Sequence, residues 1–543
     1  MVQSPTMTDN KTSEMATHEV EDTQAVRAEL LHSLRGVAAL EVAQRLEPID
    51  GRSKRMLQLY GICGVMFLAA STLGYDASLM GTMLDFPAFQ SQFNASILGA
   101  KAGLITAMFS IGSVSALPFI GPMGDLWGRR VGICTACVFV ILGTIIQATA
   151  KGLPQYLAGR FFLGFGSGIG GSAPAYVVEI AHPAYRGILG GLFNCFYYVG
   201  YFMAAIVLRG CVHYASSTSW LLPTCLQALL PTILLICCPF FPESPRWLFA
   251  HGRAEECHAV LTRYHGNDNP NSIYVQLQIR EFAEELNAEG GADKNMWDYR
   301  PLFKSRAALY RVLLCATAIP MFAQWTGQGT VSYFLPAVLS TSGITTTESV
   351  LDINIGIAVV SGVAAILGGS LLDRFGRRKL LISCCACLTL AWVGMIVCTY
   401  EYTITGGIAS AHASVFFIFL VAVVFSFAYT PLQQLYAVEC LDYEQRAKGI
   451  AFVTMMISAA SLVNLFASPI ALEKIGWKTY GIWIATCGLQ GIFYYFFMVE
   501  TRGRTLEEMN YVFQQKNPVK ASLVRKEQID EAVAMTSETK VEA

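Results

Sequence analysis

Two charged side chains stand where charge is costly. Asp76 falls inside an apolar run at residues 57–84, about eight residues from its far end, and Arg160 falls about six residues into a second run at 154–176. At the roughly 1.5 Å rise of a helix, each then lies roughly 9–12 Å from the same membrane face. An isolated charge at that depth costs several kcal/mol, so such groups tend to mark pathways or proton sites. Matching depth makes the two a natural pair. A pair of this kind has two uses, which the sequence leaves open. It can be a permanent bridge that only joins two helices, or a proton site at which protonation of Asp76 releases Arg160 and shifts a conformational equilibrium.

A second set of charges is written twice. GPMGDLWGRR at 121–130 returns as GSLLDRFGRR at 369–378, and Tyr176-Val-Val-Glu179 leading to Arg186 returns as Tyr436-Ala-Val-Glu439 leading to Arg446. Pro242-Glu-Ser-Pro-Arg246 is answered by Glu500-Thr-Arg-Gly-Arg504. In the second phrase Glu and Arg are seven apart in both copies, a spacing that returns to nearly the same helix face after about two turns. Two six-helix halves related by duplication account for every echo. One half then carries Asp125, Arg129, Arg130, Glu179, Arg186, Glu243 and Arg246 at one end, and the other Asp373, Arg377, Arg378, Glu439, Arg446 and Glu500. Charge pairs at a partly wet interface suit a gate that must close and part again. The basic residues alone could serve only to set topology, but that role asks for neither acidic partners nor repetition.

The elements that must position these groups are membrane helices. Hydrophobic residues make up 54% of the chain, charged residues 14%, and the mean hydropathy is +0.45, outside the range of ordinary soluble domains. About twelve windows reach the roughly 20 apolar residues that a bilayer requires: 57–84, 101–121, 131–150, 154–176, 188–209, 220–241, 309–338, 351–372, 379–399, 413–437, 448–471 and 478–498. Lys and Arg flank the loops that lie inside if the N-terminus is inside, with Lys101, Lys151 and Arg209 as sparse exceptions, so both tails are expected in the cytoplasm. Five segments follow: a disordered cytoplasmic tail at 1–55, a six-helix bundle at 56–241, a cytoplasmic linker with short helices at 242–308, a second bundle at 309–499 and a cytoplasmic tail at 500–543. No signal peptide is apparent in the polar first 55 residues. Asn94-Ala95-Ser96 is a glycosylation sequon in the first outward loop.

Other chemistries are excluded or weakened. A net charge of −1 offers no basic face to nucleic acid. The cysteines within the apolar spans, Cys237, Cys238, Cys384, Cys385 and Cys387 among them, read as small buried hydrophobes. Gly166-Ser-Gly-Ile-Gly-Gly171 matches a dinucleotide fingerprint but has no strand before it, so close helix packing is the better account. No nucleophile–base or metal-ligand constellation supports an enzyme, and no cofactor is expected beyond the proton as coupling ion.

These phrases resemble the sugar porter family of the major facilitator superfamily across about residues 57–510. The likeness rests on both GRR loops, Gly74-Tyr-Asp76, Arg160-Phe-Phe-Leu-Gly164, PESPR at 242–246 and the Gln-x-x-Gly segment at Gln324 to Gly327. Leu126 departs from the family pattern, where Arg is usual, as Arg374 is in the second copy. The resemblance implies an all-α membrane protein, with twelve transmembrane helices in two pseudo-symmetric six-helix bundles and a small cytoplasmic helical domain between them. It implies proton coupling at Asp76 and Arg160, since proton-coupled members carry Asp in the first span, although some fungal facilitators retain it.

It further implies a sugar site between the halves, at Asn194, Tyr198, Gln324, Gln328, Tyr333, Gln433, Gln434, Tyr436, Ser461 and Asn464. Relative to the hexose-carrier pattern, Asn194, Ala323, Gly329, Ser361 and Gln434 each stand where a larger side chain is usual. A roomier cavity points to a disaccharide or oligosaccharide. The segments around Asn194, Gln324, Tyr429 to Gln433 and Ser461 look most like the fungal lactose permease and cellodextrin carrier group. The expectation is therefore a monomeric plasma-membrane proton symporter for a sugar of the lactose or cellobiose type. The alternatives are a carrier for a monosaccharide, polyol or other hydroxylated metabolite, or a non-transporting sugar receptor. A drug-exporting antiporter fits less well, because the fifth span lacks the Gly-Pro motif of that group.

Overall fold

The computed structural model describes residues 40, 43–214, 216–289, 300–441, 446–502, 504 and 506–523. Among them there is no strand, and eleven helical stretches are long and apolar enough to cross a membrane. The last, Lys448–Phe497, has 50 residues, about twice what one crossing needs. It breaks at Gly476–Thr479 into Arg446–Ile475 and Tyr480–Phe497, which gives twelve crossings. Spans 1 to 6 are Lys54–Met83, Gly99–Ile120, Arg129–Ala148, Leu153–Ile180, Arg186–Cys211 and Thr218–Phe240. Spans 7 to 10 are Arg306–Tyr333, Thr347–Leu372, Arg377–Thr405 and Ile408–Cys440, and the two halves of the last stretch are spans 11 and 12. The protein is a multi-pass integral membrane protein of two six-helix halves.

The halves repeat one packing scheme. Span 4 lies against spans 2 and 3, as span 10 lies against spans 8 and 9, and span 6 meets span 3 as span 12 meets span 9. Small residues make these approaches possible. A β-carbon at Gly112 would sit 2.1 Å from the carbonyl oxygen of Phe161, and one at Gly368 would sit 1.8 Å from that of Phe427. The glycines of the apparent dinucleotide motif serve the same end: at Gly166 and Gly168 a β-carbon would lie 2.7 Å from Ala136 O and Ala116 Cβ.

Span 7, expected as one run over 309–338, is interrupted. Its helix stops at Ala323 and resumes at Gln328. Gly327 adopts φ +89°, and a β-carbon there would meet the Trp392 ring at 2.5 Å. The carbonyls freed by the break find donors: Trp392 Nε1 bonds Thr326 O at 2.8 Å, Thr486 Oγ1 bonds Trp325 O at 2.8 Å and Gln490 Nε2 bonds Phe322 O at 3.1 Å. Broken membrane helices persist where neighbours satisfy the backbone in this way.

The chain divides into two compact units, one holding the spans and one built from segments within Met1–Cys63, Val178–Gly187 and Pro242–Lys294. In the smaller, Leu248, Cys257, Leu261, Val275 and Phe282 form a core beneath the linker helices Pro245–Ala250, Ala254–Tyr264 and Ile273–Glu289. Residues 43–55 correct the expectation of a disordered tail. Ala43 packs with Ile273 and Tyr274, and Glu47 accepts from Ser272 Oγ at 3.1 Å and Ile273 N at 2.9 Å. Residues 1–39 lie outside the described residues. The second tail is also structured in part: Leu506–Gln514 and Pro518–Ala521 are helical, and Glu500 N bonds Ser522 Oγ at 3.1 Å.

Candidate functional site

Span 1 carries Asp76 and span 5 presses on it backbone to backbone. A β-carbon at Gly74 would fall 1.8 Å from Tyr197 O, and one at Gly200 would fall 1.8 Å from Ser71 O. This approach leaves Asp76 and, on span 4, Arg160 enclosed at 1% and 0% exposure. Asp76 Oδ1 and Arg160 Nη1 form the ion pair that matched depth anticipates. Gln227 of span 6, which carried no sequence signal, donates to the same Oδ1 at 2.9 Å. The guanidinium is held from the other side by Ile105 O at 3.3 Å and by the Phe109 ring, whose centroid is 5.4 Å away. Among the described residues Asp76 Oδ2 and Arg160 Nη2 have no hydrogen-bond partner. A buried charge pair that leaves hydrogen-bonding capacity unused gains less than its desolvation costs, so this pair is poorly suited to a purely structural role.

The residues expected to hold a sugar are only partly brought together. Asn194 Nδ2 donates across the halves to Thr430 O at 2.6 Å, and Tyr198 Oη meets Ser426 Oγ at 2.7 Å and Thr430 Oγ1 at 3.1 Å. Beside them a β-carbon at Gly362 of span 8 would lie 3.3 Å from Tyr198 Cβ, and Ser361 is buried with a hydroxyl that has no partner. Gln328 donates to Ser332 Oγ at 3.3 Å while its Oε1 is unsatisfied. Asn464 accepts from Ser468 Oγ at 2.8 Å, Ser468 is bonded in turn by Thr330, and a β-carbon at Gly329 would lie 2.7 Å from Asn464 Nδ2. Spans 7 and 11 therefore meet at this point.

Gln324, Gln433 and Ser461 are half-buried, and Gln324 turns back to Pro320 O at 3.4 Å. Tyr333 packs with Ala77, Tyr201 and Ala358. Tyr436 is a correction: fully buried, it donates to Val499 O at 2.8 Å in the core of the second half and does not join the cluster at Tyr198. The Gln434 side chain lies outside the described residues. Sequence reasoning did not reach Ser426, Thr430 or the buried trio of Ser78, Tyr201 and Asn354. In that trio Tyr201 Oη bonds Asn354 Oδ1 at 2.7 Å and Asn354 Nδ2 bonds Ser78 Oγ at 3.0 Å across the halves.

At the end of the spans where the GRR phrases lie, Arg129 pairs with Asp125 at 2.7 Å, and Arg130 donates to Pro239 O. In the second half Arg377 grips Glu439 through Nη2 at 2.8 Å and Nε at 3.2 Å, and Thr501 Oγ1 bonds the same carboxylate. Glu500 accepts the backbone N–H groups of Arg377 at 2.9 Å and Arg378 at 3.1 Å. Each bond just named joins residues of one half. Glu243 accepts Ser244 N at 2.9 Å, and Glu179, Arg186 and Arg246 are also engaged. The side chains of Asp373 and Arg446 lie outside the described residues.

A charged pair buried under one half, amides and hydroxyls meeting along the seam, and charged clusters at one end form the layout of a carrier. The profile of the family described as sugar (and other) transporter matches residues 62–513. The chain belongs to this family. Among curated relatives of this transporter, an MFS-type transporter criB of Aspergillus cristatus is 28% identical, over 87% of this chain and 97% of the relative. A high-affinity glucose transporter of Kluyveromyces lactis is 27% identical over 86% of this chain and 87% of its own. Among solved structures, the partially occluded inward-open xylose transporter XylE from E. coli superposes with a TM-score of 0.68. It is 19% identical and covers 82% of this chain and 99% of its own, a likeness of fold. The transporter is thus of the major facilitator type, and its relatives are transporters rather than enzymes.

Proposed function

We propose that the protein is a plasma-membrane, proton-coupled sugar symporter that takes up a disaccharide or oligosaccharide of the lactose or cellobiose type by alternating access, with both termini in the cytoplasm. The observation that carries this reading is the buried Asp76–Arg160 pair with one carboxylate oxygen unsatisfied. Protonation would cancel the attraction that holds Arg160, so proton entry and helix movement become one event. A solved relative of the same fold is titled a proton:xylose symporter. The conformation fits a carrier caught with one end closed: opposite the GRR phrases, a β-carbon at Gly81 would lie 2.1 Å from Ser332 O across the seam. The larger substrate rests on the small side chain of Ser361 beside the hydrogen-bonding groups of Asn194 and Tyr198 at the seam, and on the likeness to the fungal lactose permease and cellodextrin group.

A monosaccharide is the second reading, favoured by the glucose transporters among the relatives. Uptake of lactose, cellobiose and glucose in a transporter-deficient yeast, with and without a protonophore, separates the two. Disaccharide uptake that exceeds glucose uptake and collapses with the protonophore is expected. Glucose preference would overturn the substrate, and protonophore-insensitive equilibration would overturn the coupling.

A further inference from the structure

The end of the spans opposite the GRR phrases holds a charged cluster that no repeated phrase announces. Arg209, at the last turn of span 5, donates through Nε to Asp352 at 2.7 Å and approaches Glu348 through Nη2 at 3.5 Å. Both carboxylates belong to the first two turns of span 8, so the arginine reaches from one half of the transporter to the other. His213, one turn beyond Arg209, lies 3.3 Å from its Nη1 and 3.9 Å from Glu348. A cavity of about 520 Å³ adjoins the cluster, lined from the first half by Phe86, Val212 and Ser219 and from the second by Thr346 and Glu348. Below it the halves touch through the Ser78, Tyr201 and Asn354 bonds already described.

We infer that Arg209, with Asp352 and Glu348, is an extracellular charge clamp that holds the outer ends of the halves together and sets the balance between outward-open and inward-open states. The inference rests on the alternating-access reading. The clamp suits reversible use because it is wet. The carboxylates are more than half exposed and border a cavity, so on parting each group regains water with little desolvation to undo. A population shift needs only a difference in affinity between two states, and a modest one moves a nearly balanced equilibrium several-fold. Arg209 thereby acts as a positioning residue, working through the spacing of the two halves.

The test reads accessibility rather than uptake. Ser78, fully buried at the seam, is replaced by Cys in the full-length transporter, and its modification by a membrane-impermeant maleimide is timed in intact cells against the same protein without the new cysteine. Arg209→Asp is expected to speed modification at least about three-fold, and the swapped pair Arg209→Asp with Asp352→Arg to return it to within about two-fold of the parent. A reversal that leaves the rate unchanged, or a swap as fast as the reversal, overturns the clamp. Absence of modification in every variant, the parent included, would count against alternating access itself and remove the clamp with it.

Discussion

Two ion pairs of this transporter use the same chemical groups in opposite surroundings. Arg160 and Asp76 join spans of one half with side chains 0% and 2% exposed, while Arg209 and Asp352 join the two halves with side chains 29% and 60% exposed. Burial makes the first pair nearly indivisible: removing one member strands a charge in a medium that cannot solvate it. Exposure makes the second easy to part, since water takes over from each partner. The difference teaches that the inner pair can act only through a change of charge state, whereas the outer pair can act through separation alone.

The comparison breaks most readily at Arg160. Arg160→Leu leaves Asp76 uncompensated and is expected to destabilise the fold by about 3–5 kcal/mol. Arg209→Leu should cost less than a quarter of that loss, as read by thermal unfolding of the detergent-purified proteins. Asp76→Asn added to Arg160→Leu should recover most of the stability, because no stranded charge remains. Comparable losses in the two arginine variants would erase the distinction. Asp76→Asn on its own strands Arg160 and is expected to destabilise the fold by about as much as Arg160→Leu; the variant protein that does reach the membrane should lose accumulation of sugar against a gradient, measured as the ratio of internal to external sugar.

The linker unit offers a third arrangement, buried groups that avoid charge altogether. Burial pushes His182 down to about 3 and His265 down to about 4, with the nearby Arg186 guanidinium adding to both shifts. The His265 ring lies 3.0 Å from Ile180 O and bonds Gln278, and the two imidazole centroids are 5.2 Å apart. Folded, both rings are neutral at pH 5, while an unfolded chain binds protons below about 6.5. Their contribution is therefore complete above about pH 6.5 and is lost as pH falls toward 4, amounting to about 2 kcal/mol per ring at pH 5. Limited proteolysis of the linker should accelerate between pH 7 and pH 5, and His265→Gln, which keeps a hydrogen-bonding side chain, should flatten that dependence.

Salt gives the smallest and sharpest contrast. Raising ionic strength from 0.1 to 1 M shortens the screening length from about 10 Å to about 3 Å. Modification of Ser78→Cys from outside should therefore quicken up to about two-fold in the parent. It should not respond once Arg209 is replaced by Leu, while the buried pair is expected to leave thermal stability unmoved by the same change. Equal salt sensitivity in the two backgrounds would remove the outer clamp from the account.

Much of this was legible without coordinates because hydrocarbon punishes polarity so severely. A run of about 20 apolar residues has few stable fates, and two charges at one depth have few uses, so twelve spans and the Asp76–Arg160 pair follow from order and spacing. The two GRR turns were legible too. Gly128 and Gly376 take nearly the same backbone geometry, φ 97° and 82° with ψ 160° and 152°, because the local phrase encodes the turn.

Packing decided the rest, and the physical reason is that a neutral polar side chain costs little enough to sit anywhere along a span. Nothing in the sequence marks Gln227, Thr430 or Asn354 as different from other span residues; only the approach of spans 6, 10 and 8 gives each its partner. Tyr436 lies three residues from Gln433 yet donates to Val499 O, just past the end of span 12, and Arg209 reads as an exception to a charge bias until the start of span 8 is brought against it. Periodicity specifies which residues share a helix face, but which neighbour that face meets is fixed by how glycine-lined helices interlock across distant parts of the chain.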